Sequence, residues 1–167
     1  MPLENLEAFR QRINELCLVT EEQLEPQLRI DCQIPLEKVN LAMAQRLRVL
    51  EPYGKNNAIP ILADKNILLA KISLLGQNQQ VVKLTCHAGG RNNHIDIVAF
   101  NKRNSIENMI CNHWSKEDWN RLLQGKPPGI RLDVVYSIEE NFYNNRSFLQ
   151  IKLIDTRPAF LHNREKR

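Results

Sequence analysis

Histidine, cysteine and carboxylate side chains are the residues of this chain that could bind metal or act as nucleophiles, and their spacing argues against both. Cys111-Asn112-His113 and the pair His87 and His94 lack the ligand spacing of a zinc site. Asp96 follows His94 by two residues, and one such pair cannot hold two metal ions. No Ser-His-Asp or Cys-His set is recognisable, and no glycine-rich loop opens a helix to cradle phosphate. No catalytic residue, metal ligand or cofactor site is therefore assigned. What remains is binding chemistry. Lys71, Lys83, Arg91, Lys102, Arg103, Arg131, Arg146 and Lys152 are interleaved with Phe100, Tyr136, Phe142 and Tyr143. Cations that neutralise phosphates, combined with rings that stack on bases, are how single-stranded nucleic acid is held without reading its sequence. The eight cations with Tyr136 and Tyr143 are the expected contacts. Phe100 and Tyr136 also fit a core, whereas Tyr143, Arg146 and Arg91 lie in polar stretches and are expected at the surface.

The charge distribution supports a polyanion partner. Residues 1–60 carry seven Lys+Arg against nine Asp+Glu, and residues 61–167 carry sixteen against ten, which gives −2 and +6. The 167 residues, 43% hydrophobic and 25% charged, suit one globular domain, or one with an appendage. No stretch approaches the apolar length of a membrane span, and no leader is recognisable, so a cytoplasmic protein without membrane contact is expected. The four cysteines form no CxxC pair and are expected to be buried thiols.

These side chains must be positioned by two kinds of element. Leu3, Leu6, Phe9, Ile13, Leu16 and Cys17 form a helical stripe over about residues 3–17. Thr20-Glu21-Glu22-Gln23 reads as a capping box for a short helix that stops near Pro26. Leu28, Ile30, Cys32 and Ile34 alternate as a half-buried strand, and Pro35 opens a helix that carries Leu36, Val39, Met43, Leu47 and Leu50. Beyond residue 60 the period changes to that of strands: 66–75, 81–88, then Ile95, Ile97 and Ala99, then 130–138 and 148–154. Between the third and fourth strands, Ile106, Met109 and Ile110 form one helix. Ser115 caps a second, with Trp119, Leu122 and Leu123 along it. Trp114 and Trp119 could offer stacking platforms but are read as core. About five strands with a helix after the third suggest an α+β chain: a helix-strand-helix appendage, then a mainly antiparallel OB-fold barrel with a helical insertion.

The two periods meet at residues 51–60. Pro52 ends the helix, Gly54, Asn56 and Asn57 are types that accept positive φ, and Pro60 holds the exit extended. Leu50, Pro52, Gly54, Asn57 and Pro60, with Tyr53 in place of a phenylalanine, resemble the elbow signature of the RecJ single-strand-specific exonucleases. Asn56 and Ala58 depart from it, standing where the family has a glycine and a proline. Leu132-Asp133-Val134-Val135-Tyr136, Asn141-Phe142-Tyr143, Leu149-Gln150-Ile151 and Asp155-Thr156-Arg157-Pro158 are similar to the family's closing motifs. Lys83-Leu84 and Ala99-Phe100 echo two more, and residues 2–16 resemble the helix that follows its Gly-Gly-His motif. The resemblance runs from about residue 2 to 158. It implies the end of a DHH-associated domain over 1–50, a linker elbow over 51–60 (Pro52, Tyr53, Gly54, Asn57 and Pro60), an OB-fold DNA-binding domain over 61–158 and a basic tail over 159–167. It further implies single-stranded DNA as partner, a 5′–3′ exonuclease role in bacterial DNA repair and recombination, and manganese or magnesium in a DHH catalytic domain outside these residues. The family's Asp-His-His triplet is absent here. Two alternatives remain: a non-catalytic module that docks on repair or replication proteins, and an RNA-binding module.

Overall fold

The computed structural model describes residues 3–20, 24, 27–89 and 93–159. Alternation of apolar and polar residues produces five long strands: β2 (Leu62–Leu75), β3 (Val81–His87), β4 (His94–Phe100), β5 (Arg131–Tyr143) and β6 (Arg146–Pro158). A two-residue β1 (Cys32–Gln33) pairs in parallel with Leu62 and Ala63 at the start of β2. The strand order β2-β3-β4-β6-β5 closes through a β5–β2 pairing, so the sheet is a barrel. Neighbours are antiparallel except β4 and β6, which meet in parallel at Val98 and Lys152. With helices between the third and fourth barrel strands, this is the α+β OB architecture expected from the sequence.

Closure requires β2 to serve two neighbours. Its first half pairs with β5 and its second half with β3, and the ladder shifts between Asp64 and Ile67 and again between Leu69 and Lys71. Such bulges bend a strand and raise its twist, which lets 14 residues wrap around a small barrel. Asn66 sits at φ 61° in the first of them, a conformation asparagine tolerates better than a branched residue.

The inner face of the barrel is apolar at every second residue. Val82, Leu84 and Cys86 of β3 and Ile97 and Ala99 of β4 join Leu132, Val134, Tyr136 and Ile138 of β5 and Ile151 and Leu153 of β6. Burying each large side chain contributes about 1.5–3 kcal/mol before entropy is counted. Helices α3 (Arg103–His113) and α4 (Lys116–Leu123) add Ile106, Ile110, Trp119 and Leu122 to the same core. Trp119 is thus a core residue, and Trp114, half-buried, packs edge-on against His113. The Ser115 hydroxyl accepts from the Asp118 amide at 3.0 Å and caps α4 as the sequence predicts.

Before the barrel the elements are shorter than the sequence pattern suggests. The stripe over 3–17 forms a 3-10 turn and then α1 (Leu6–Leu16), whose Leu6, Phe9, Ile13 and Leu16 are all exposed. The strand expected over 28–34 reduces to β1, because Leu28 and Ile30 have no ladder partner and stay exposed. The helix expected from Pro35 splits into a 3-10 turn at Leu36–Lys38, α2 (Leu41–Leu47) and a second 3-10 turn at Arg48–Leu50. Asn40 causes the break: its side chain accepts from the Met43 amide at 2.9 Å and starts a new helix. Of the capping box at 20–23 and the short helix expected to stop near Pro26, residues 21–23, 25 and 26 lie outside the described residues. Leu36, Val39 and Ala44 share one core with the barrel. Of the cysteines only Cys86 is buried, and burial pushes its thiol up to about 12. Cys17 and Cys32 are exposed, contrary to expectation, and Cys111 on α3 is half-buried against the core.

The elbow corrects a second expectation. Gly54, Asn56 and Asn57 do not use positive φ. Instead the Asn57 side-chain amide donates to the carbonyls of Leu50 at 2.6 Å and Pro52 at 3.0 Å. Gly54 and Asn57 also exchange backbone hydrogen bonds at 2.8 and 3.1 Å. The Tyr53 hydroxyl donates to the Leu47 carbonyl at 2.9 Å, tying the elbow to α2 before Pro60 leads into β2.

Candidate nucleic-acid interface

The residues that face away from the core on β3, β4, β6 and β5 define the candidate surface. Cross-strand partners share a face, so Val81 lies beside Phe100, Lys83 beside Val98, and Thr85 beside Asp96. Val98 in turn meets Lys152 of β6, and on the last pair of strands Glu139 meets Gln150, Asn141 meets Phe148, and Tyr143 meets Arg146. Three rings therefore line one continuous outer surface. Phe100 is 45% exposed, Phe148 49% and Tyr143 67%. Large apolar rings left this open cost the free chain hydrophobic free energy, which makes their clustering on one face informative.

Lys83, Lys152 and Arg146 lie among those rings. The Lys152 ammonium is 6.0 Å from the centre of the Phe100 ring and 2.6 Å from Glu139 Oε1. The Lys83 ammonium is 3.0 Å from Asp96 Oδ2, and Asp96 also accepts from the Thr85 hydroxyl at 2.6 Å. Arg146 ends the β5–β6 hairpin, which turns through Asn144 and Asn145 at φ 48° and 57°. Two successive positive-φ residues match the twist of the flanking strands, and asparagine is well suited to both positions. The turn is thus two residues long, and the strands run well past the ends the sequence suggested.

The other sequence candidates are distributed unevenly. Lys71 faces outward on β2 beside Thr85, at the margin of the surface and close to Gly125 after α4. Lys102 and Arg103 follow β4 directly, and Arg103 is engaged by Gln79 at 3.1 Å and Glu107 at 3.7 Å. Arg131 donates to the Asn66 carbonyl at 2.8 Å and sits at the opposite end of β5 from Tyr143, about 40 Å along a strand of this length. Arg91 lies outside the described residues. Tyr136 is a correction: it is 0% exposed and cannot meet a ligand. Its hydroxyl donates to the Ile34 carbonyl at 2.6 Å, and burial is the main cause that raises its phenol well above the usual range. Phe148 is the exposed ring on this face that sequence reasoning missed, although it falls on the same alternation as Gln150 and Lys152.

Phe142 points to the other side of the hairpin. There it lines a groove of about 630 Å³ with Leu47, Arg48, Tyr53, Ile59 and Glu140. The residues present do not fit a two-metal centre: among the described residues no group of three or more His, Cys, Asp or Glu side chains is placed to hold an ion. Among the described residues no helix is long and apolar enough to cross a membrane.

Comparison with known proteins agrees with this fold. The family model described as the RecJ OB domain matches residues 30–155. The single-stranded-DNA-specific exonuclease RecJ of Bacillus subtilis (strain 168) is 26% identical over 154 residues, which cover 91% of this chain and 17% of that protein. The crystal structure of RecJ in complex with Mn2+ from Thermus thermophilus has the same fold, with a TM-score of 0.55 at 17% identity. It matches 96% of this chain and 20% of its own; the Mg2+ complex from the same organism gives 0.54 at 14% identity, over 96% and 21%. The chain thus spans about a fifth or less of the length of these relatives. With a closed OB barrel and a family match over most of its length, this chain belongs to the RecJ OB-domain family.

Proposed function

We propose that the outer face of β3, β4, β6 and β5 binds single-stranded DNA with little sequence preference. The observation that carries this reading is the alignment of three exposed rings, Phe100, Phe148 and Tyr143, with the cations Lys83, Lys152 and Arg146 on one face. Ring faces accept any unpaired base, whereas a duplex hides its bases from them. The cations meet the phosphodiester backbone between stacked bases. We further propose that the module serves a RecJ-like 5′–3′ single-strand-specific exonuclease of DNA repair and recombination. The hydrolysis, with manganese or magnesium, then belongs to residues other than these 167. The name of the Bacillus relative supports this setting.

Fluorescence anisotropy of the chain with a labelled oligothymidylate tests the binding. Three to five phosphate contacts give a log-log salt slope of about −2 to −3.5, at about −0.7 per contact. Tyr143→Ala is expected to weaken binding by about 1–3 kcal/mol if its ring stacks on a base. Arg146→Ala should flatten the salt slope by about one contact. Equal affinity for duplex and single strand, with Tyr143→Ala silent, would contradict the reading and favour a protein-docking module. Preference for an RNA strand in competition would redirect it to RNA.

A further inference from the structure

The proposed face carries its own anions. Asp96 holds Lys83 at 3.0 Å and Glu139 holds Lys152 at 2.6 Å, and all four side chains lie on the outer surface among Phe100, Val98 and Gln150. Arg146, by contrast, forms no ion pair among the described residues. We propose that Asp96 and Glu139 are latches that occupy the phosphate positions of Lys83 and Lys152, so that a bound strand must displace each carboxylate; this rests on the nucleic-acid reading above.

Their exposure makes the exchange feasible. Lys83 and Lys152 side chains are 33% and 38% exposed, and Asp96 and Glu139 are 47% and 34% exposed. A pair this open is worth little, because water and salt screen it. A phosphodiester oxygen can replace the carboxylate oxygen at nearly equal cost. The Arg157–Asp133 pair differs: Asp133 is only 15% exposed and also accepts from the Asn66 amide, so it is structural. A latched face discriminates by ligand length. One phosphate lands on Arg146 without displacing anything, whereas only a chain of phosphates spaced along the strands gains enough to open both latches. The ligand class is thus a linear polyphosphodiester and not a mononucleotide. Asp96 and Glu139 are positioning residues, since they act through the lysines.

The test is anisotropy with a labelled oligothymidylate of about 15 nucleotides, near the upper site size of a single OB fold. Removing one latch removes a surface pair, so Asp96→Asn and Glu139→Gln should each tighten binding about two- to fivefold. Glu117→Gln on α4 changes net charge equally but lies off the face, and it should leave affinity unchanged. In a Lys152→Met background the gain from Glu139→Gln should vanish. Equal tightening by all three charge-removing variants, or a Glu139→Gln gain that survives Lys152→Met, would overturn the latch. Absence of binding by the unmodified chain and every variant would overturn the nucleic-acid reading itself, and the latch with it.

Discussion

Tyr136 and Tyr143 are seven residues apart on β5 and do opposite things. Strand geometry turns successive side chains to opposite faces, so an odd separation puts the two rings on different sides. Tyr136 shares its face with Leu132, Val134 and Ile138 and closes the core, while Tyr143 stands at the hairpin tip. Tyr136→Phe should leave the Ile34 carbonyl without its donor and cost about 1 kcal/mol of stability, lowering Tm by about 2–4 °C. Its oligothymidylate affinity should stay unchanged, as read by chemical denaturation beside anisotropy; a large loss of affinity would return Tyr136 to the interface. The information that separates these tyrosines, and that finds Phe148, was present in the sequence as parity. It was obscured because an aromatic among cations reads equally well as core or contact until the strand's inner face is fixed. Asn57 was less legible: its type suggested a backbone conformation, but its side chain makes the contacts, and that depends on where Leu50 and Pro52 place their carbonyls.

At the scale of elements, α2 is clamped to the β5–β6 hairpin through one carboxylate. Glu140 accepts from Ser147, from Gln45 Nε2 at 2.8 Å and from Arg48 Nη1 at 3.0 Å. These hydrogen bonds, Ser147 first, hold its carboxyl below the usual range. A carboxylate depressed in the folded state contributes stability above its unfolded pKa of about 4.3, and loses it as pH falls through the lower folded value. Glu140→Gln should therefore lower Tm at neutral pH, with the difference shrinking as pH falls through that window. A difference that does not depend on pH would show that the ionised form is not what the clamp uses. The long barrel strands and the helical insertion were readable because their alternation, or 3.6-residue period, runs over many residues. The elements before the barrel were not. β1 is fixed by two residues against the start of β2, and α2 by a single asparagine cap. Signals that short do not outweigh a run such as Leu28, Ile30, Cys32 and Ile34, which alternates throughout although only its Cys32 lies in a paired strand.

For the whole molecule, barrel closure is what gathers the face. β4 and β6 are far apart in sequence and meet in the barrel through their parallel pairing at Val98 and Lys152. That contact places Phe100 beside Lys152 and continues the surface to Phe148, Tyr143 and Arg146. The other side of the hairpin presents Phe142 and the groove against α2 and the elbow, a separate surface. Nucleic acid, on this account, occupies the first surface and not the second. The most direct test is an amide and aromatic NMR titration of the intact chain with unlabelled oligothymidylate. Saturable shifts should cluster at Lys83, Val98, Phe100, Tyr143, Arg146, Phe148 and Lys152, while Leu47, Tyr53 and Ile59 stay unperturbed. Shifts confined to the groove side, or no saturable shifts at low salt, would contradict it.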